Sequence, residues 1–142
     1  MKTTKFNILT KTLFLFGMLA IVALTMNSCN RKISFLTSSV VPAAEGQVTL
    51  KSDQNNNYVI RIDIKNLADV SRLQPPKSIY VVWMETDRGQ ARNIGGIIST
   101  NNLNVSFETV SSFKPIRIFI TAEENERTQF PGSMEVLTTS RF

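Results

Sequence analysis

From Ile33 onward, apolar and polar residues alternate with period two along most of the chain, the signature of strands that bury one face and wet the other. The clearest run is Tyr58 to Lys65. Tyr58, Ile60, Ile62 and Ile64 point one way, Arg61, Asp63 and Lys65 the other, and Val59 is the exception. Gln47 to Ser52 repeats the pattern more weakly, with Val48 and Leu50 inward. Between them lies the asparagine-rich stretch Asp53 to Asn57, whose residues tolerate left-handed turn conformations. The two runs therefore read as antiparallel neighbours.

Ser78 to Glu85 breaks the alternation, because Ile79 to Met84 are apolar on both faces. Such a strand is central and covered on both sides, or lies beneath another element. Thr86 to Gln90 reads as a hairpin loop, with Gly89 supplying a positive φ. Ala91 to Ser99 returns, and Gly95-Gly96 within it predicts a bulge or a close backbone approach. Alternation resumes at Leu103, Val105 and Phe107. It appears again at Ile116, Ile118 and Ile120, set against Arg117, Phe119 and Thr121. Met134 to Thr139 closes the series, and only Leu67 to Leu73 has a helical look, a turn or two at most. Seven or eight strands with no room for parallel crossovers predict an all-β fold. The expected architecture is an antiparallel two-sheet β-sandwich of immunoglobulin-like type. If successive strands alternate in direction, residues 53–57, 87–90 and 110–115 gather at one pole. Residues 42–46, 66–77, 100–102 and 123–133 then gather at the other.

The first 28 residues follow a different pattern. Lys2, Lys5 and Lys11 form a basic head, Leu13 to Leu24 an apolar run, and Thr25 to Ser28 a polar end before Cys29, the only cysteine. The run is too short for a membrane-spanning helix, which needs about 20 residues, and the tripartite order is that of a secretory signal. A small residue directly before a lone cysteine resembles the bacterial lipoprotein signal, with the loose upstream pattern of Bacteroidota. This predicts a cleaved leader over 1–28, a lipidated tether over 29–32 and a β-sandwich domain over 33–142. Acyl chains on Cys29 then make the membrane a partner. The stretch after Cys29 is Asn30-Arg31-Lys32 rather than an acidic run. The periplasmic face of the outer membrane is therefore the expected location.

Removing the leader changes the charge. The chain has 16 basic and 11 acidic side chains, and loss of the three leader lysines leaves 13 against 11. The high isoelectric point belongs largely to the leader, so nucleic-acid binding, which needs a basic stripe on the domain, is not expected. The 142 residues less 28 leave 114, enough for one domain without disulfides.

Tyr80-Val81-Val82-Trp83-Met84, then Gly95, then Ile120-Thr121-Ala122-Glu123 followed by Pro131, carry a further likeness. In that order they resemble the extracytoplasmic β-sandwich of anti-sigma-K factors, over roughly Gln47 to Thr139. The resemblance implies a sensory or accessory role. Those proteins also carry a cytoplasmic sigma-binding region and a transmembrane helix, and here a lipid anchor stands in their place. Their glycine-rich loop after the glutamate is replaced by Glu124 to Phe130.

The chain has no histidine, which removes Ser-His-Asp and Cys-His nucleophilic sites and the commonest metal ligand. Zinc needs nitrogen or sulfur ligands, so no metal and no cofactor is expected. Carboxylates alone can serve a glycosidase or calcium. Glu85 with Asp87 is one candidate pair. Glu123, Glu124 and Glu126 cluster in one loop with Arg127 and the aromatic Phe130, and these five form the candidate binding set. Trp83, among apolar neighbours, is expected to anchor the core between the sheets rather than serve as a binding platform. Two functions follow. The first is a lipid-anchored, non-catalytic module for protein interaction or envelope sensing, engaging partners at the pole away from the membrane. The second is a small-ligand or glycan binder, or a carboxylate-only hydrolase, at the acidic loop.

Overall fold

Alternation places each strand's apolar set on the same side as its neighbours', and two sheets close on each other. The computed structural model describes residues 30–98 and 104–142; the predicted leader over 1–28 and Cys29 lie outside the described residues. In chain order the strands are β1 (Arg31–Ser34), β2 (Glu45–Ser52), β3 (Tyr58–Lys65) and β4 (Ile79–Thr86), then β5 (Ala91–Ile97), β6 (Val105–Ser111), β7 (Pro115–Glu123) and β8 (Glu135–Thr138). They form two four-stranded sheets, ordered β1-β2-β3-β6 and β5-β4-β7-β8. Every pairing is antiparallel. The chain changes sheet after β3, β5 and β6, so β6 returns to lie beside β3 in a Greek-key, immunoglobulin-like sandwich. Among the described residues no helix is long and apolar enough to cross a membrane.

The core lies between the sheets. Val48, Ile60, Ile62 and Ile64 face Tyr80, Val82, Met84, Ile118, Ile120 and Leu137, all at most 1% exposed. Each such side chain contributes about 1.5–3 kcal/mol by leaving water. The segment with a helical look is a single 3₁₀ turn, Val70–Arg72, capped by Asp69, whose Oδ1 accepts from the Ser71 amide at 2.9 Å. Leu67, Val70 and Leu73 plug the core from this crossing. The Tyr80 hydroxyl ties it down by donating to the Ala68 carbonyl at 3.0 Å.

Gly95 meets both expectations for its pair. The β4–β5 register skips Ile94, which makes the bulge. Gly95 itself has φ +138°, and a Cβ there would lie 2.9 Å from the Phe107 ring of the opposite sheet.

The strand directions set the poles. Tyr58 pairs with Ser111 and Thr86 with Pro115, which brings 53–57, 87–90 and 112–114 to one end. Ile64 pairs with Val105 and Ile79 with Glu123, which sends 66–78 and the start of the 124–133 loop to the other. Residues 100–102 lie outside the described residues. Arg31 pairs with Leu50, so the chain enters β1 at the first end. We call this end the proximal pole, and the opposite end the distal pole.

Candidate functional site

The β5-β4-β7-β8 sheet buries its outer face as well as its inner one. Ile79, Val81, Trp83 and Phe119 form a second apolar cluster there, separate from the core. Trp83 therefore does not pack between the sheets as its sequence context suggests. Tyr80, Val82 and Met84 take the inward positions of β4, and strand alternation sends Trp83 outward. It is nevertheless fully buried, stacked on Phe119 with ring centroids 6.3 Å apart.

The 124–133 loop borders this cluster as a strap. It leaves β7 at the distal pole and folds back along β5 instead of projecting into solvent. Asn93 Nδ2 donates to the carbonyls of Glu126 at 2.7 Å and Thr128 at 3.0 Å. Asn93 is the register partner of Trp83, so the strap reaches the level of the indole. At Gly96 the fit is close, because a Cβ would stand 2.8 Å from both Glu126 Cγ and Ile79 Cδ1. The base of the strap is tied to the indole by a chain of bonds. Trp83 Nε1 donates to Thr121 Oγ1 at 2.7 Å, and that hydroxyl donates to Glu123 Oε1 at 2.5 Å. The same Glu123 oxygen accepts from the Gly132 amide at 2.6 Å.

The three glutamates of the candidate set thus share a loop but not a site. Glu123 closes the strap. Glu124 pairs with Lys77 at 2.9 Å and accepts from Ser78 Oγ at 3.3 Å. The Lys77 hydrogen bond, then its charge, hold the Glu124 carboxyl below its ordinary range. The Glu126 side chain lies over Gly96. Among the described residues no group of three metal-ligating side chains converges. Arg127 sits on the strap between the levels of Gly96 and Asn93, short of the hairpin that carries Asp87. Phe130, on the returning limb, is 78% exposed. Its backbone is held, since Thr128 Oγ1 donates to the Phe130 carbonyl at 2.9 Å.

Glu85 and Asp87 are also separated in role. Arg117 Nη1 contacts Glu85 Oε1 at 2.8 Å and Arg141 contacts Glu85 Oε2 at 2.9 Å, while Asp87 stands exposed. Arg117 also reaches Glu135 at 2.7 Å and lies 4.6 Å from the Phe119 ring centroid. Burial disfavours its charge, but the bonds to Glu85 and Glu135 outweigh that and raise its pKa. Neither Arg117 nor Asn93 was a candidate. The usable signal was Phe119, an aromatic on the polar side of an alternating strand, which marks a covered outer face.

A second feature lies on the other sheet. A concavity of about 870 Å³ opens at the distal end of its outer face. Its floor is one cross-strand row, Ser34, Gln47, Asp63 and Ser106. Leu36 and Pro42 also line it. Asp63 accepts from Ser106 Oγ at 2.7 Å and from Arg61 Nε at 3.3 Å. In sequence these residues are merely the polar positions of amphipathic strands, and only the register gathers them. No family model, curated protein or solved structure matches this chain.

Proposed function

We propose that this chain is a lipid-anchored, non-catalytic module of the cell envelope that recognises a protein partner, in the manner of the sensory half of an anti-sigma-K factor. On this reading Cys29 carries the lipid, the domain sits in the periplasm, and the strap meets the partner. The supporting observation is Phe130, a large apolar side chain held in water by a loop that is itself pinned to the sheet. A rigid scaffold presenting an exposed aromatic is the usual form of an interaction anchor. The contact surface is then the flank of the β5-β4-β7-β8 sheet and not the tip of the distal pole. A photo-reactive residue at Phe130, in intact cells, is expected to give a discrete protein adduct, and the same residue at Asn55 on the proximal pole none. Absence of an adduct from position 130, or equal adducts from both, would overturn the assignment.

The concavity on the other sheet supports a second reading, a small polar or glycan ligand held by Gln47, Asp63 and Ser106 beside Leu36 and Pro42. Asp63→Asn would then abolish ligand binding without touching the Phe130 adduct.

A further inference from the structure

The two poles differ in charge. Arg31, Lys51, Arg88, Arg92, Lys114 and Arg141 surround the proximal pole, opposed by Asp53, Glu85 and Asp87. At the distal end, strap included, Lys65, Arg72, Lys77 and Arg127 are outnumbered by Glu45, Asp69, Glu123, Glu124 and Glu126. Two of the three proximal acids are moreover occupied. Asp53 accepts from the amides of Asn55 and Asn57 within its own turn, both at 2.8 Å. Glu85 takes Arg117 and Arg141. Lys51, Arg88 and Lys114 are exposed, and none of them has a carboxylate within ion-pair distance among the described residues.

The same pole receives the tether. β1 begins at Arg31, so Asn30 alone separates Cys29 from the first strand residue. Two Cα steps span at most about 7 Å. A domain acylated at Cys29 cannot lift this pole out of the headgroup layer. Beside Lys51, the cross-strand row continues to Val59 and Val110, the latter 58% exposed, an apolar position in the same row as a cation.

We propose that the proximal pole is a docking surface for anionic phospholipid headgroups, read by Lys51, Arg88 and Lys114. Its occupant is fixed by the charge it complements and by the short tether. This rests on the anchored reading above for its biological setting, but the binding itself is separable from the anchor. Headgroup contact on this side holds the strap and Phe130 away from the bilayer.

The test uses the chain 29–142 carrying Cys29→Ser, which includes all eight strands and both apolar clusters and bears no acyl group. Co-sedimentation with phosphatidylglycerol–phosphatidylcholine vesicles is compared with phosphatidylcholine alone, with Trp83 emission confirming the fold. Retention on the anionic vesicles is expected, weakening as salt rises. A cation at an anionic surface is worth about five-fold in binding. Replacing Lys51, Arg88 and Lys114 together by Gln should therefore weaken retention about a hundred-fold. Lys65→Gln with Arg72→Gln, at the other pole, should leave it unchanged. Equal partition onto both vesicles, or an equal loss from the distal pair, would overturn the docking surface. Mass spectrometry of Cys29 tests the anchor separately, and dependence on anionic lipid supports the docking surface whichever way that result falls.

Discussion

Trp83 points away from the space between the sheets and is still fully buried, because Phe119 stacks on it and Thr121 accepts its only polar hydrogen. Truncation removes the largest member of the outer cluster and leaves the Thr121 hydroxyl without the indole donor it accepts from. Trp83→Ala is expected to cost about 3–5 kcal/mol in denaturant unfolding, with Trp83→Phe cheaper since it keeps most of the apolar area. Native Trp83 emission should be blue-shifted and move red on unfolding. Water-like emission from the folded protein would put the indole at the surface and contradict this packing. At Tyr80 burial, with Asp69 nearby, pushes the phenol up to about 12. The neutral form is the one the fold favours, so its stabilising effect is complete below the ordinary value of about 10 and lost as pH rises towards 12. Ultraviolet titration should show one tyrosine ionising only as the protein unfolds. Ionisation of both tyrosines near 10 in the native state would contradict the burial of Tyr80.

The strap is the element that sequence reading misjudged. Glu123 to Phe130 is polar and lies between two strands, which resembles a free loop, and nothing local says that it folds back on β5. Two long-range facts decide its course. Asn93, 33 residues away from Glu126, supplies the donors, and Gly96 supplies the clearance. The strands were legible because period-two alternation is written locally, and Tyr58–Lys65 matches its expected span. The bulge beside Gly95 was legible because a glycine pair within a strand is itself a local signal. Which face Trp83 takes was not, since both faces of β4 are apolar and only the partner sheet distinguishes them. Asn93→Ala removes the two hydrogen bonds to the strap and a third that its Oδ1 accepts from the Gly95 amide, each worth about 0.5–1.5 kcal/mol. Amide exchange across 125–132 should accelerate several-fold in that variant while β2 and β3 keep their protection. Unchanged exchange in the strap would show that other contacts hold it.

At the scale of the whole molecule, each connection reverses the chain even where it changes sheet, and the loops therefore sort into two poles of opposite character. The basic pole carries the start of β1, and the strap turns its exposed aromatic to the flank beyond it. Alternation of direction alone produces this grouping. The charge contrast between the poles emerged only when register put Lys51, Arg88 and Lys114 at the same end of the sandwich. The proposed orientation of the domain and the proposed headgroup contact take their cellular meaning from one covalent event, the acylation proposed at Cys29. The most direct measurement is the intact mass of the mature protein extracted from cell membranes. The account predicts a chain beginning at Cys29 whose mass exceeds that of residues 29–142 by the acyl groups of a lipoprotein, and a loss of membrane association in Cys29→Ala. A mature protein of unmodified mass, or one that still carries residues before Cys29, would contradict it.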